Sequence, residues 1–416
     1  MIISAERSAR VEAYVREHCF AASATMSRGG LGFGAEMELL AVDAASGRIA
    51  PIDATDRSCS IDVARAAAAR LGWTACRSAK GVPRFVAPEG GALTFEPGGQ
   101  VEYASAVHRS ITGLLRELRV ADDVLRDEAA ARGIDLLAVG VDPENGAEEA
   151  PLQLRASRYR RMAAYFAGIG ADGARMMRQT ASLQVCLGGI DVEARYRLAN
   201  AVAPWLVALF ANSPRYAGDD TGCASYRAHT WRGVDPARTG LMAGSDPVRE
   251  YAAFAMRAPA FLAGAEESPA LPFACVDDAV ATDEALATHL STLFPEVRPR
   301  GYLELRSMDA IGVEHHAAAV VFATGLLADD RAAAEAGEVA REPDTARLRA
   351  AGRVGLGDSV LAAQARTLAD VALAGCARLG AQVVDPSVLE HARDSFDALL
   401  SRAPREPAVL AVPADR

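Results

Sequence analysis

The stretch Gly34-Ala35-Glu36-Met37-Glu38-Leu39-Leu40 decides how this chain is read. Two carboxylates stand two residues apart in an otherwise apolar run. Side chains alternate along a strand, so Glu36 and Glu38 point to one face, roughly 7 Å apart. Two acids there repel each other unless a cation stands near them. Taken alone, the stretch also fits a plain strand whose polar face looks into water. The run Gly29-Gly30-Leu31-Gly32-Phe33-Gly34 leads into it. Gly30, Gly32 and Ala35 match a G-x-G-x-x-A spacing, but a dinucleotide fingerprint follows a strand and opens a helix. Here a glycine-rich turn opens a strand, and that reading is rejected.

Working outward, three more stretches place polar groups on one strand face. Leu93-Thr94-Phe95-Glu96-Pro97-Gly98-Gly99-Gln100-Val101-Glu102-Tyr103 reads as two short strands hinged at Pro-Gly-Gly, with Gln100 and Glu102 sharing a face. Thr180 to Leu187 alternates cleanly, as a half-buried strand with Ser182, Gln184 and Cys186 on its polar side. In Gly301 to Met308, Glu304 and Arg306 share a face opposite Leu303 and Leu305. If the four strands meet, five carboxylates share one sheet face, which is badly destabilised without cations. Mg²⁺ suits oxygen ligands and commonly bridges carboxylates to nucleotide phosphates. An arginine beside them suits a transferring phosphoryl group. The residues therefore point to a metal-dependent, ATP-using site on an antiparallel sheet.

Composition narrows the alternatives. The chain has 416 residues, half of them hydrophobic, and a net charge of −10. That is enough for one large or two medium domains. Its acidity argues against nucleic-acid or anionic-membrane partners. No uninterrupted apolar run reaches the ~18 residues of a membrane helix. Residues 1–10 lack the apolar core of a signal peptide, so the expected location is the cytoplasm. Seven scattered cysteines, with no C-x-x-C pair, read as reduced and mostly buried thiols. Lys80 stands alone among the 44 basic side chains. No G-x-x-x-x-G-K-[ST] loop exists, so phosphate charge must be met by arginine or metal ions.

Between the strands the chain reads as helices at 4–19, 61–71, 107–132, 158 onward, 192–211, 247–257 and 283–294, with a short strand at 134–139. Residues 142–156 read as a mobile surface loop. Residues 215–246 read as a loop rich in aromatics and arginines, able to bind a carboxylate or phosphate or simply to face solvent. From 313 the chain is helical and Ala-rich, with a Pro-containing tail after Ser401. Sheet-forming sequence ends near 330, giving a catalytic domain over 1–330 and a helical segment over 331–416 packed on it. His315 and His316 are adjacent on a helix and point about 100° apart, which suits solvation or capping better than metal binding.

As a set, these motifs resemble the glutamate–cysteine ligases of the plant and proteobacterial type. They are Gly34-Ala-Glu-Met-Glu, Phe95-Glu-Pro-Gly-Gly-Gln-Val-Glu, Arg158-Tyr-Arg-Arg-Met, Thr180-Ala-Ser-Leu-Gln-Val, Phe210-Ala-Asn-Ser-Pro, Trp231 with Asp235-Pro-Ala-Arg-Thr-Gly, and Tyr302-Leu-Glu-Leu-Arg. His289 to Arg300 is similar to the actinobacterial members that serve ergothioneine synthesis. The resemblance covers about residues 30–330. It implies an α+β, glutamine-synthetase-like fold, a curved antiparallel sheet cradling ATP and Mg²⁺ between flanking helices. It implies metal-binding positions at Glu36, Glu38, Glu96, Glu102, Gln184 and Glu304. Arg306 would contact the transferred phosphate, and Arg227 and Arg238 the substrate carboxylate or phosphate. The implied reaction joins the γ-carboxylate of glutamate to the amine of cysteine through an acyl phosphate, with small molecules as the partners. Two departures stand out: many relatives carry Asn where this chain has Cys186, and Val313-Glu314-His315-His316 replaces a Pro-Trp-Arg segment. Two alternatives stay open: the same chemistry on another amine or acid, and a non-catalytic relative that binds a nucleotide or amino acid.

Overall fold

Gly32–Asp43 forms β1, a strand of 12 residues and the spine of the molecule. The computed structural model describes residues 5–27, 29–77, 82–261 and 270–401. Lys80 and the tail beyond Ser401 lie outside the described residues. The other strands of the main sheet are β2 (Thr74–Arg77), β3 (Pro83–Val86), β4 (Ala92–Phe95), β5 (Val101–Ala104), β6 (Ile134–Leu137), β7 (Ser182–Gly188), β8 (Val297–Pro299) and β9 (Leu303–Asp309). Their order is β8-β9-β7-β1-β5-β4-β3-β2, and β6 pairs with the far end of β1. Every pairing in this sheet is antiparallel.

The period of two sorts the two faces. Ala35, Met37, Leu39, Val101, Tyr103, Leu183, Val185, Leu187, Leu303 and Leu305 are buried in the core. The helices Ile111–Ala130, Val192–Leu209 and His316–Ala328 pack against these strands. Ser110 and Asp191 cap the first two, accepting from the main-chain N–H groups of Gly113 and Ala194. One buried cluster runs from Val11 to Leu400, so residues beyond 330 share the core of those before it. The 330/331 limit falls one residue inside the helix Asp330–Ala340, which follows His316–Ala328 after a single residue. Ser359–Leu379 is long and apolar enough to cross a membrane by length and composition, but half of that stretch is buried inside the protein. Leu361, Leu368 and Leu373 are among its core residues.

Several expectations need correction. β7 is buried along its whole length, not half-buried, because helices cover both faces of the sheet at its centre. Residues 142–156 carry no helix or strand, but they are anchored rather than mobile. The Asp142 carboxylate accepts from the N–H groups of Glu144 and Asn145, and Gln153 bonds Ile52, Ala50 and Gly98. The 215–246 segment contains a helix, Tyr226–Val234, capped by Ser225. His316 is buried, with Nε2 near the carbonyl of Ile311, and is not solvated. Cys19, Cys59, Cys186 and Cys376 are buried, and all seven cysteines are free thiols.

Candidate active site

Strand register gathers the predicted carboxylates. Across the polar face, Glu36 stands directly opposite Gln184 on β7, and Glu38 directly opposite Glu102 on β5. One register step away, Glu304 on β9 faces Cys186, which faces Gly34. Glu96 follows β4 in the turn that leads to β5. Its N–H donates to Gln100 O at 2.9 Å, and Gly99, at φ +97°, donates to Glu96 O at 2.9 Å. Glycine takes that left-handed backbone at no steric cost. Gly98 is required for another reason: a Cβ there would lie 2.0 Å from the carbonyl oxygen of Arg178. The close approach holds the turn against the helix Asp172–Gln179 and aims Glu96 at the sheet.

Glu36, Glu38, Glu96, Glu102, Gln184 and Arg306 line one cavity of about 160 Å³. Its roof comes from the helices Ser157–Ala167, Asp172–Gln179 and Tyr226–Val234, through Tyr159, Met176 and Trp231. Arg158 and Arg298 bring two further guanidinium groups to it. Glu38 accepts from Ser182 N–H at 2.7 Å and from the Gln184 amide at 2.9 Å. Glu102 accepts from the Thr94 hydroxyl at 2.8 Å. Arg306 donates to Gln184 and to Glu304.

The electrostatics are lopsided. Burial, and then repulsion by Glu304 and Glu102, push the Glu36 carboxyl up to about 8. Burial, and then Glu38, push Glu96 up to about 7. Glu102 is raised as well, by burial and by Glu96 and Glu38. Two unit charges 7 Å apart repel by about 2 kcal/mol at an effective dielectric of ~20, so these groups resist holding their charges together. No set of three or more His, Cys, Asp or Glu side chains converges on one point among the described residues. The donor set nonetheless suits Mg²⁺, which commonly takes one or two carboxylates and completes its shell with water and phosphate oxygens.

Glu304 behaves differently from the other four. It has no exposed surface and does not line the cavity. Arg298 reaches it at 2.9 Å, Arg300 at 3.4 Å, and Arg306 also donates to it. Burial alone would raise its carboxyl, but Arg298, Arg306 and Arg300 together hold it down at about 2. In this arrangement it is the shared anion of an arginine cluster and not an open metal ligand. Arg227 and Arg238 also fall short of their expected place. Arg227 is buried and donates to the carbonyls of Arg306 and Ser307 at 2.9 and 3.4 Å, bracing β9. Arg238 is fully buried, 3.2 Å from Asp235, donates to Thr292 O at 3.0 Å and lies 3.9 Å over the Phe261 ring. Neither lines the cavity.

Sequence reasoning assigned no role to Arg158 and Arg298. Arg158 opens its helix beside Tyr159, donating to that hydroxyl at 2.5 Å, and one face of the periodic helix would have located it. Arg298 pairs with Glu304 across β8–β9, and the alternation in Glu296-Val297-Arg298 carried that signal.

A family model described as glutamate–cysteine ligase family 2 matches residues 32–385. The chain is 38% identical over 323 residues to the glutamate–cysteine ligase EgtA of Mycolicibacterium smegmatis, covering 73% of each chain. It is 30% identical over 260 residues to the chloroplastic glutamate–cysteine ligase of Arabidopsis thaliana, spanning 58% of this chain and 49% of that one. The fold is similar to a crystal structure of glutamate–cysteine ligase from Francisella tularensis in complex with AMP. The TM-score is 0.54 at 13% identity, over 91% of this chain and 84% of that one. That likeness shows the glutamine-synthetase-like fold. Matched over residues 32–385 and built around an antiparallel sheet with a carboxylate-lined cavity, the chain belongs to glutamate–cysteine ligase family 2.

Proposed function

We propose that this protein is an ATP- and Mg²⁺-dependent ligase that joins the γ-carboxylate of glutamate to the amine of cysteine, releasing ADP and phosphate. One observation carries the reading: Glu36, Glu38, Glu96, Glu102, Gln184 and Arg306 share one cavity. Cations there would be held by these glutamates and Gln184. Bound Mg²⁺ would supply charge neutralisation for the phosphates and for the surrounding carboxylates.

The chain's own residues have separable tasks. Glu304 fixes the Arg306 guanidinium, so that it meets charge on the transferred phosphoryl group without reorganising. Glu38 and Arg306 hold Gln184 from its two ends, fixing its amide orientation. Met162, Met176, Met177 and Trp231 line the cavity with apolar surface and exclude water, which would otherwise hydrolyse an acyl phosphate. The glutamate γ-carboxylate takes the γ-phosphoryl group. The amine then attacks the acyl carbon, the C–N bond forms, and phosphate leaves with the electron pair of the broken C–O bond. No side-chain nucleophile is required.

The EgtA likeness supports γ-glutamylcysteine as product, feeding ergothioneine or glutathione synthesis. A second reading, the same chemistry on another amine, rests on Cys186 as a departure from the resemblance, although that side chain is buried opposite Glu304 and lines no part of the glutamate cavity. Incubation with ATP, Mg²⁺, glutamate and cysteine tests the proposal. ADP and γ-glutamylcysteine should appear in equal amounts. ADP release with a different amine and none with cysteine moves the assignment to the second reading. No ADP with any amine refutes both.

A further inference from the structure

β9 is not a regular strand where it carries Arg306. Leu305 pairs with Val185 on β7, and Met308 with Leu183. Between those pairs β9 has two residues, Arg306 and Ser307, and β7 has only Gln184. This is a β-bulge, which interrupts the ladder and re-aims a side chain. The backbone groups it frees are buried and need other partners. The Arg306 N–H donates to Glu296 O at 3.0 Å. The Arg306 and Ser307 carbonyls accept from Arg227 at 2.9 and 3.4 Å.

Glu296 does more than lend a carbonyl. It is 2% exposed and lines no part of the glutamate cavity. One carboxylate oxygen accepts from the Ser307 hydroxyl at 2.6 Å, and the other from Arg232. Arg232 Nε and Nη1 are buried without a hydrogen-bond partner, so its guanidinium bonds Glu296 alone among the described residues. Arg232 follows Trp231 on the helix Tyr226–Val234, and the Trp231 indole donates to Phe294 O at 3.0 Å. Two adjacent residues of the roof helix therefore grip Phe294 and Glu296. Set against apolar residues of the same volume, a buried ion pair adds little stability. Here it fixes the carboxylate that holds the bulge.

We propose that Glu296 is a positioning residue for Arg306: it holds Ser307 and the Arg306 backbone so that the bulge aims the guanidinium at the transferred phosphoryl group, and Arg232 holds Glu296 in turn. The inference rests on the ligase reading above. Neither Glu296 nor Arg232 lines the cavity, so their loss acts through Arg306, on kcat and not on substrate binding. The roof helix and the aim of Arg306 form one unit.

A double-mutant cycle tests this, with hydroxylamine as the amine. Hydroxylamine attacks an acyl phosphate whatever the natural acceptor, its nitrogen bonding the acyl carbon as phosphate leaves, and gives γ-glutamyl hydroxamate. S307A deletes a single oxygen. It should lower kcat about tenfold and leave KM for ATP and for glutamate within about twofold. E296Q and R232M should behave alike. R232K, which returns a cation to Glu296, should recover kcat to within about threefold of the wild type. In an R306K background, where the aimed guanidinium is already gone, S307A should cost less than about twofold more. A tenfold loss in both backgrounds overturns the assignment in favour of a general structural role. S307A and E296Q variants with wild-type kcat overturn it outright, as does a rise in KM for ATP at unchanged kcat. R232K no more active than R232M overturns the part given to Arg232. A wild-type enzyme that forms no hydroxamate from glutamate, ATP and Mg²⁺ overturns the ligase reading itself, and the positioning role with it.

Discussion

Glu36 and Glu304 sit on the same sheet face, yet replacing each by glutamine should move stability in opposite directions. Glu304 has no exposed surface and is the anion for Arg298, Arg300 and Arg306. Its carboxyl is held at about 2 against an ordinary 4.5. At ~1.4 kcal/mol per unit, the charged form contributes about 3 kcal/mol, present above pH 4.5 and lost as pH falls toward 2. Breaking a buried pair by removing one partner costs a similar 3–5 kcal/mol, roughly. Glu36 carries the opposite sign. Its carboxyl is raised from 4.5 to about 8. It therefore favours the folded state below pH 4.5, and that stability is lost as pH rises toward 8, by about 3–4 kcal/mol at pH 7.5. A neutral glutamine removes the loss. For 416 residues, an unfolding entropy of roughly 2.1 cal/mol/K per residue gives about 0.9 kcal/mol/K. E304Q should then lower Tm by about 3–5 °C, and E36Q should raise it by about 3–4 °C, at pH 7.5 in EDTA without ATP. Differential scanning fluorimetry of the two variants beside the wild type reads this directly. An E304Q variant as stable as the wild type, or an E36Q variant that falls with it, refutes the electrostatic account of the site.

Both variants should also lose turnover by about 100-fold or more, E36Q through cation binding and E304Q through a displaced Arg306, in a coupled ADP-release assay. R306K should lose a similar factor: one guanidinium nitrogen already serves both Gln184 and Glu304, and a lysine ammonium doing so would lack the further donors of the guanidinium for the phosphoryl group. The metal-free wild type should lose melting temperature from pH 6 to pH 8.5, as Glu36 and Glu96 are forced to ionise with folded values near 8 and 7, and saturating Mg²⁺ with ATP should flatten that slope. G98A should destabilise the protein by about 2 kcal/mol or more, since its Cβ would meet the Arg178 carbonyl oxygen at 2.0 Å, and urea unfolding would show the shift.

Much of the sheet was legible because alternation is a local signal. The run Glu36-Met37-Glu38, the hinge Pro97-Gly98-Gly99 and the pair Glu304/Arg306 each declare a strand or turn within a few residues. The pairing of Glu38 with Glu102 was not legible, since register is fixed by residues 64 positions apart in the chain. The fate of Glu304 was hidden for the same reason. On one strand it looks like its neighbours, and only the arrival of β8 with Arg298 makes it the anion of a cluster. Arg227 and Arg238 misled because an arginine-rich stretch reads as a binding loop. A helix capped by Ser225 and a set of buried carbonyls instead take up their donors. The anchored segment 142–156 shows the same limit, since its polar composition suggests solvent while Asp142 turns inward to accept from the segment's own N–H groups and the Asn145 amide donates to Asp142 and to Gly47 O.

The most direct test of the central claim is where the cations sit. Crystals grown with Mn²⁺ and a non-hydrolysable ATP analogue, measured at the manganese edge, should show anomalous peaks in the cavity lined by Glu36, Glu38, Glu96, Glu102 and Gln184, with the γ-phosphate beside Arg306. Manganese bound elsewhere, or nucleotide bound with no metal among those glutamates, would contradict the account.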